Sequence, residues 1–499
     1  MKKFHIFGAG IGGLSIAHLL GKKYPTAQII VYEKKDIVGG QARSTRDIDG
    51  KFQEYCWHAF GTAYKHLFEL LEEVGVKKNL VPVGKYIYDS EFLPHFIEYN
   101  QNFLGSGNLI KVKNAFEAQG VVFTFWDAIE MIKIYLQINK IPFLNKVAFD
   151  KEDDISWKEF VKDIKDPKLQ NWLIGFPSIY LGMEACQVSA GTILNIARSS
   201  TGSDHTYDFM IPNGPINEKI LEPWVEFLKN KYNVNIMLNT EIKKLEVNND
   251  LITKIHFYNK DSIELIPGLD TVINSMDVGG WTNLIHDMDL SNPKFTEYKV
   301  KWRDLRLKSY QIQTQILFEL NEYIDWQEDN GILLIFMESP WCLMTRVESN
   351  IWTTQEGELL SCGIGRWDVP SELYDRLPIN MSPEEIAKEC WHQMCKYGKN
   401  LFGSIAKGKI SKLPIKEIGY KDFRYWPYSY YEEMLQTDEP KFSNNVGCLK
   451  LRPHIKDNYF SNVYHVNAYT KQKNYKYQNP DLFCMENAAA IAFKAIEQL

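Results

Sequence analysis

Gly8, Gly10 and Gly13 stand in the spacing G-x-G-x-x-G, Gly12 lies beside the last of them, and Glu33 follows twenty residues after Gly13. Glycines so spaced, between a strand and a helix, bring backbone N–H groups up to a diphosphate. An acid at the end of the next strand accepts hydrogen bonds from a ribose. Gly8 permits the tight turn, Gly10 the approach of backbone to phosphate, and Gly13 the close packing of helix on strand. A helix start adds free N–H groups and the positive end of its dipole. The neighbouring residues supply the elements that would hold this geometry. Phe4-His5-Ile6-Phe7 reads as a buried strand, Leu14 to Leu20 as a helix, and Ile29-Ile30-Val31-Tyr32 as a second strand ending at Glu33. Together they predict a dinucleotide site.

The 499 residues suffice for a large core and more than one domain, and the net charge of −6 offers no case for nucleic acid. Aromatic residues make up 13% of the chain, which suits either an aromatic-lined cavity or an ordinary large core. Cys56, Cys186, Cys342, Cys362, Cys390, Cys395, Cys448 and Cys484 form no C-x-x-C and no zinc-type cluster. They read as reduced thiols, mostly buried, in a cytoplasmic protein without a metal. The glycine motif begins at residue 8 and leaves no room for a signal peptide, and no apolar run reaches the length of a membrane span.

The fold class expected is α/β, a Rossmann-like domain with an α+β substrate domain. Residues 1–90 alternate strand and helix, with an amphipathic helix over Ala63–Val74. Long helices follow at Thr124–Asn139 and Pro167–Tyr180. Strands return at Ile236–Leu238, Ile242–Val247, Ile252–Phe257 and Thr271–Ile273, then as one long strand over Gln311–Leu320, and at Ile332–Phe336 and Leu359–Gly363. Ser382-Pro383-Glu384-Glu385 begins a helix to Cys395 with a cap, a first-turn proline and acids at the positive dipole end. Val463–Val466 and Met485–Gln498 are the last strand and helix. This order interleaves a discontinuous nucleotide-binding domain (1–90, 205–285 and 440–499) with a substrate domain (91–204 and 286–439). Val121–Leu144 is strongly apolar but broken by Asp127, Glu130, Lys133 and Lys140. It suits a helix buried on most sides, and also one lying on a membrane surface or forming a lip for substrate entry.

Further motifs carry a family resemblance. Val38-Gly39-Gly40-Gln41-Ala42-Arg43-Ser44 resembles the second glycine pair of flavin amine oxidases and carotenoid desaturases. Glu54 to Tyr64 resembles the G-x-H-x-F-x-G-x-Y stretch of plant-type phytoene desaturases. Tyr207 to Val247 resembles the family's middle section. Leu451-Arg452-Pro453, Tyr469 to Lys473 and Cys484 to Ala488 resemble the desaturase C-terminus. The chain is thus similar to the FAD-dependent amine oxidase/phytoene desaturase superfamily. The resemblance implies FAD, a two-domain fold with a discontinuous FAD domain, and hydride removal from a C–H bond. It implies that the glycine loop with Gly40, and Arg43 or Arg46, contacts the diphosphate, since Gln41 stands where the usual arginine would be. It also implies that the backbone at Ile242 touches the adenine, and that Met485 and Glu486 open a helix aimed at the flavin C2 carbonyl.

The chain departs from that pattern at Asn467-Ala468, where the family has glycine and an acid, at Asn487 in place of glycine, and in a long Asn474–Phe483 loop. Altered chemistry, substitute hydrogen bonds from Asn467, and loss of redox function each follow from such changes. Gln313 or Gln315 stands where amine oxidases carry a lysine, and the nearest lysine, Lys308, precedes the strand. The Gln-Ile-Gln-Thr-Gln alternation reads as one wetted sheet face or as polar groups lining a cavity. His58 is a candidate base, or a side chain packed near the flavin. No second nucleotide motif accompanies Gly363-Ile364-Gly365, so no NAD(P)H site is expected. The reaction implied is desaturation or isomerisation of an isoprenoid or acyl chain. The alternatives are an amine or amino-acid oxidase, and an FAD-fold binding protein. Peripheral membrane contact and oligomeric state stay open.

Overall fold

Residues 3–32 fold as strand, helix and strand, as their apolar pattern predicts. The computed structural model describes residues 1–54, 58–61, 64–88, 96–97, 124–200, 209–288, 292–312, 315–325, 331–336, 338–348, 351–352, 357–398, 415–425, 429–437, 439–471 and 484–499. Cys56, Ala63, Gln313, Gln472, Lys473 and the Asn474–Phe483 loop lie outside these residues.

The chain runs through β1 (Lys3–Phe7), α1 (Ile11–Lys23), β2 (Gln28–Tyr32), β3 (Ser44–Arg46), β4 (Phe52–Glu54), α2 (Lys65–Val74) and β5 (Leu80–Tyr88). A helical stretch holds α3 (Phe125–Ile138), α4 (Pro167–Leu181) and α5 (Ala190–Ser200). Then come β6 (Phe209–Pro212), α6 (Glu222–Tyr232), β7 (Asn235–Met237), β8 (Ile242–Asn248), β9 (Leu251–Phe257), β10 (Asp270–Asn274) and α7 (Pro293–Ser309). The last elements are β11 (Gln315–Leu320), β12 (Gly331–Phe336), β13 (Leu343–Val347), β14 (Leu359–Gly363), α8 (Pro383–Tyr397), β15 (Tyr420–Tyr425), β16 (Val463–His465) and α9 (Met485–Gln498).

Five parallel strands lie in the order β16-β10-β1-β2-β7. They come from the beginning, the middle and the end of the chain. Both faces of this sheet are covered, so its strands are apolar on both sides. Phe4, Ile6, Ile29 and Val31 pack with α1, α6 and α9, while Phe7, Ile30, Tyr32 and Val272 pack with Leu245, Phe257 and Trp281.

A larger mixed sheet runs β15-β11-β14-β13-β12-β5-β6. One face packs on α8 through Phe318, Leu343, Val347 and Cys390. The other receives Phe52 of the β3–β4 hairpin beside Leu317, Leu333 and Met344. α8 starts as predicted: Ser382 and Glu385 cap each other's backbone and Pro383 occupies the first turn. A separate helical core joins Ile134 of α3 to Trp157, Phe160, Leu173 and Leu194.

The expected long strand over Gln311–Leu320 is interrupted. Tyr310-Gln311 pairs with Lys441-Phe442 in a ladder of its own, and β11 pairs with β14 and β15. Two different partners on either side of residues 313–314 pull the segment into two sheets. Every side chain of β11 is buried, and so is Gln311, so the wetted-face reading does not hold for Gln311 and Gln315. The described cysteines are all free thiols, with Cys186 exposed and Cys342, Cys362, Cys390 and Cys448 buried. Among the described residues no cluster could hold a metal ion.

Candidate functional site

The parallel strands all end on one edge, and the loops after β1, β2, β10 and β16 meet there. Such an edge is where ligands of this architecture bind. Gly8 turns the chain at φ +98°, a conformation that side chains other than glycine rarely adopt. At Gly12 a Cβ would run into the Val466 carbonyl, and at Gly13 into the Gly8 carbonyl. These two glycines therefore bring α1 against the end of β16 and against β1. Gly10 differs: a Cβ there would find nothing closer than the Gly40 Cα at 3.9 Å. Opposite it Gly39 donates to the Ala9 carbonyl at 2.9 Å, and Gly40 sits at φ +56°. Two glycine segments thus face each other across a strip of bare backbone. The first turn of α1 is buried, holds no acid and has no side-chain cap. Its N–H groups are the donors a diphosphate needs.

Glu33 is buried and fastened by its own loop. One carboxylate oxygen accepts from Ala9 N at 2.9 Å and the other from Lys35 N at 3.0 Å. Backbone bonds from Glu33 N to Met237 O (2.9 Å) and from Thr240 N to Glu33 O (2.8 Å) bring the 237–242 turn alongside. Ile242 consequently opens β8 next to the acid, although more than two hundred residues separate them.

The two arginines diverge. Arg43 is buried, donating to Gly40 O at 2.7 Å and to Glu439 at 2.6 Å, and Lys35 pairs with the same carboxylate. Arg46 points to the surface, bonded to Glu218 at 2.7 Å and to Gly50 O at 2.7 Å. Arg43 alone of the pair lies beside the glycine strip. The structure adds Asn217, whose side chain accepts from Ser44 N at 2.7 Å and donates to Val38 O at 3.1 Å, locking the second glycine segment. No motif announces Asn217 in the sequence, because its partners are backbone groups brought near only by folding.

At the other end, Asn467 follows β16 and is buried against α1. Its Nδ2 donates to Asn274 O at 3.3 Å, and its Oδ1 accepts from the Thr470 hydroxyl at 3.0 Å. Asn487 Nδ2 donates to Ala468 O at 2.6 Å. Asn487 is therefore bonded to the Asn467-Ala468 segment, and Asn467 ties that segment to the end of β10 and to Thr470. Met485 opens α9, whose first turn has no side-chain cap. The Glu486 side chain turns away to α2, accepting from Lys65 N (3.2 Å), His66 N (3.0 Å) and Leu67 N (2.9 Å). It is a cap for another helix, and only the backbone of residue 486 is left to face a ligand. Burial pushes the Cys484 thiol up to about 11 and the Cys448 thiol up to about 12, so neither is a thiolate at neutral pH.

Facing the β3–β4 hairpin, the large sheet presents two buried arginines. Arg424 donates to Phe52 O at 2.6 Å. Arg346 donates to Glu348 at 2.6 Å, to Glu54 at 3.2 Å and to His58 O at 3.1 Å. His58 Nδ1 lies 3.5 Å from Glu54. Burial raises the Glu348 carboxyl to about 7, against the pull of Arg346 and with help from Glu54. No motif announces this cluster in the sequence; Arg346 and Glu348, two residues apart in and just after the buried strand Leu343–Val347, are the signal that could have found it. Among the described residues the buried side-chain oxygens of Gln311 and Gln315 have no hydrogen-bond partner.

Residues 6–74 match the family model of the NAD(P)-binding Rossmann-like domain. The chain is 23% identical over 257 residues to the 15-cis-phytoene desaturase of Synechococcus elongatus, covering 49% of this chain and 51% of that one. It is 38% identical over 80 residues to the zeta-carotene desaturase of Solanum lycopersicum, covering 16% and 13%. These matches span about half the length of the curated relatives or less. In structure it resembles putrescine oxidase, with a TM-score of 0.63 at 14% identity over 100% of this chain and 98% of the other. The fold is of the amine oxidase type, α/β with a Rossmann-like dinucleotide-binding half. Sequence and fold together support the resemblance to the FAD-dependent amine oxidase/phytoene desaturase superfamily.

Proposed function

We propose that this protein is an FAD-dependent oxidoreductase that removes hydride from a C–H bond of an apolar substrate, as a desaturase or double-bond isomerase of an isoprenoid or acyl chain. The observation that carries the reading is the bare strip between Gly10 and Gly40 at the uncapped start of α1, with Glu33 and the 237–242 turn at one end. The strip fits a dinucleotide diphosphate, because a Cβ at Gly10 would occupy space that nothing else fills.

The first turn of α1 would donate to the diphosphate, Arg43 would lend positive charge beside it, and Glu33 would accept from the adenosine ribose. The Ile242 backbone would meet the adenine. Asn467 and Ala468 would stand where the family's glycine and acid meet the sugar chain, and the opening N–H groups of α9 at Met485 and Glu486 would stabilise negative charge on the ring. The bound flavin supplies the hydride acceptor. The protein's task is then to bind, orient and keep the substrate dry.

The apolar class is supported by the desaturase similarity and by the fate of the charged side chains. β11 carries no lysine among its described residues. The guanidinium groups of Arg346 and Arg424 are already held by Glu54, Glu348, Glu319 and Phe52 O, as a carboxylate-binding arginine would not be.

The visible spectrum of the purified chain tests the cofactor. A flavin spectrum that bleaches without oxygen on adding a long-chain polyene or acyl substrate is the expected result. Folded protein that takes up no FAD would overturn the reading, and bleaching by amines alone would move it to the oxidase branch.

A further inference from the structure

Where the dinucleotide half of the molecule meets the large sheet and the helical core, three buried polar atoms have nothing to bond. Among the described residues the side-chain oxygens of Gln311, Gln315 and Ser443 have no hydrogen-bond partner. Both glutamines are 5% exposed and the serine 0%. A buried polar atom left in this way costs stability, and folded proteins keep few of them without a ligand or a water to meet them.

The ladders fix where these atoms lie. Tyr310 pairs with Phe442 and Gln311 with Lys441, and Ser443 N donates to Ser309 O at 2.8 Å. Side chains alternate along such a ladder, so Tyr310 and Phe442 take one face, and Gln311 and Ser443 take the other. Phe442 stacks on Tyr469 in the dinucleotide half, with ring centroids 5.7 Å apart. Gln311 turns the opposite way, and its Nε2 donates to the carbonyl of Gly182, at the end of α4, at 2.8 Å. Gln315 opens β11 on the face of Leu317, which packs with Phe52 of the β3–β4 hairpin. Its partner across the ladder is Gly363, and a Cβ on Gly365, two residues further, would meet Ser178 of α4 at 3.3 Å. The end of α4 therefore borders both glutamine segments. Pro440 accepts from Gln41 at 2.8 Å, beside Gly40 of the glycine strip. Ser443 is three residues further, no more than about 10 Å along the chain.

The unmet atoms select the chemistry of their ligand. An amide carbonyl oxygen only accepts, so the ligand must donate. A carboxylate has no hydrogen to give. An ammonium would donate, but all three unmet atoms are neutral, and a buried cation without a counter-charge is costly. A hydroxyl is neutral, gives a hydrogen to a glutamine carbonyl and takes one from Ser443.

We infer that Gln311, Gln315 and Ser443 form a subsite for a hydroxyl group on an otherwise apolar substrate, an isoprenoid or acyl alcohol. A bridging water completes the set for the second carbonyl. The apolar chain rests on the reading above, and the hydroxyl rests on the unmet atoms themselves.

Calorimetric titration of the purified chain with geranylgeraniol and with hexadecanol, each beside its methyl ether, tests the subsite. The ether keeps the chain and the oxygen but lacks the hydrogen. At least one alcohol is expected to bind about tenfold more tightly than its ether. Gln315→Leu and Ser443→Ala are each expected to bring alcohol and ether within about twofold of one another, with ether affinity kept. Their thermal midpoints should equal or exceed that of the wild type, since each removes a buried polar atom that nothing meets. Equal affinity for alcohol and ether in the wild type overturns the inference, as does binding of neither alcohol. So do lowered midpoints in both variants, which would give these atoms a structural partner, and so does tighter binding of hexadecanoic acid or hexadecylamine than of hexadecanol. The flavin spectrum separates the two readings: an alcohol preference in a chain that takes up no FAD sinks the proposed activity alone, and bleaching by apolar chains without an alcohol preference sinks the subsite alone.

Discussion

Asn487 donates a 2.6 Å hydrogen bond from its side chain to the carbonyl of Ala468, nineteen residues earlier in the chain. Asn467, next to that carbonyl, is tied to Asn274 O and to Thr470. The two asparagines therefore hold one short segment between β16 and α9. Asn487→Ala should cost about 1–2 kcal/mol, because it leaves a buried carbonyl without its donor. Asn467→Asp sets a carboxylate against the Asn274 carbonyl, and should cost more than that. Denaturant unfolding with and without added FAD measures both. A stabilised N467D would show that the amide is not needed by its neighbours.

Gly10 and Gly12 separate folding from binding. A Cβ at Gly12 collides with the Val466 backbone, so Gly12→Ala should fail to accumulate as folded protein, or should lose several kcal/mol. At Gly10 there is room for a methyl group in the protein, so Gly10→Ala should unfold at nearly the wild-type midpoint yet bind FAD at least about tenfold more weakly. Fluorescence titration of the apoprotein decides it. Unchanged affinity in G10A would remove the diphosphate from this strip.

Glu486 should behave as a helix cap. Glu486→Ala strips the start of α2 of a buried acceptor shared by three backbone N–H groups and should cost about 2 kcal/mol, with Glu486→Gln recovering part of it. Hydrogen exchange at residues 65–67 should rise before any change elsewhere. Wild-type exchange there in E486A would mean that the carboxylate serves something else.

Glu348 makes stability depend on pH in a defined direction. Its carboxyl is raised to about 7 in the fold, above the ordinary value of 4.5, so between these values the folded state holds a proton that the unfolded state releases. Stability contributed by this proton is fully present below about 4.5 and is lost as pH climbs through 7, by roughly 3 kcal/mol in all. His18 works in the opposite sense. Burial holds its ring at about 4, so its contribution is lost as pH falls from 6.5 towards 4. Subtracting the Glu348→Gln stability curve from the wild type isolates the first term. The difference should fall between pH 5 and 7, and a flat or rising difference would exclude a proton on Glu348.

Much of this was legible in the sequence wherever the signal is local. β1, α1 and β2 follow from apolar runs and glycine spacing, α8 from Ser382, Pro383 and Glu385, and α9 from its small apolar residues. The α3 segment was legible as a helix but not as to which side faces out. Composition shows that it carries both apolar and charged residues, and only the positions of Lys165, Lys146 and Glu152 explain why Asp127, Glu130 and Gln137 point inward. The split of Gln311–Leu320 was hidden for a similar reason: β propensity is satisfied equally by one strand or by two with different partners.

By itself the sequence determined the dinucleotide motif, its strand–helix–strand frame and the resemblance that points to FAD, because each depends on residues close together in the chain. The tertiary structure decided what the remaining candidates do. It set Arg43 beside the glycine strip and sent Arg46 to the surface, gave Glu486 to α2, and joined Asn487 to the segment of Asn467. Those outcomes depend on which backbone groups need a partner once buried, and burial is settled only when segments distant in the chain have packed.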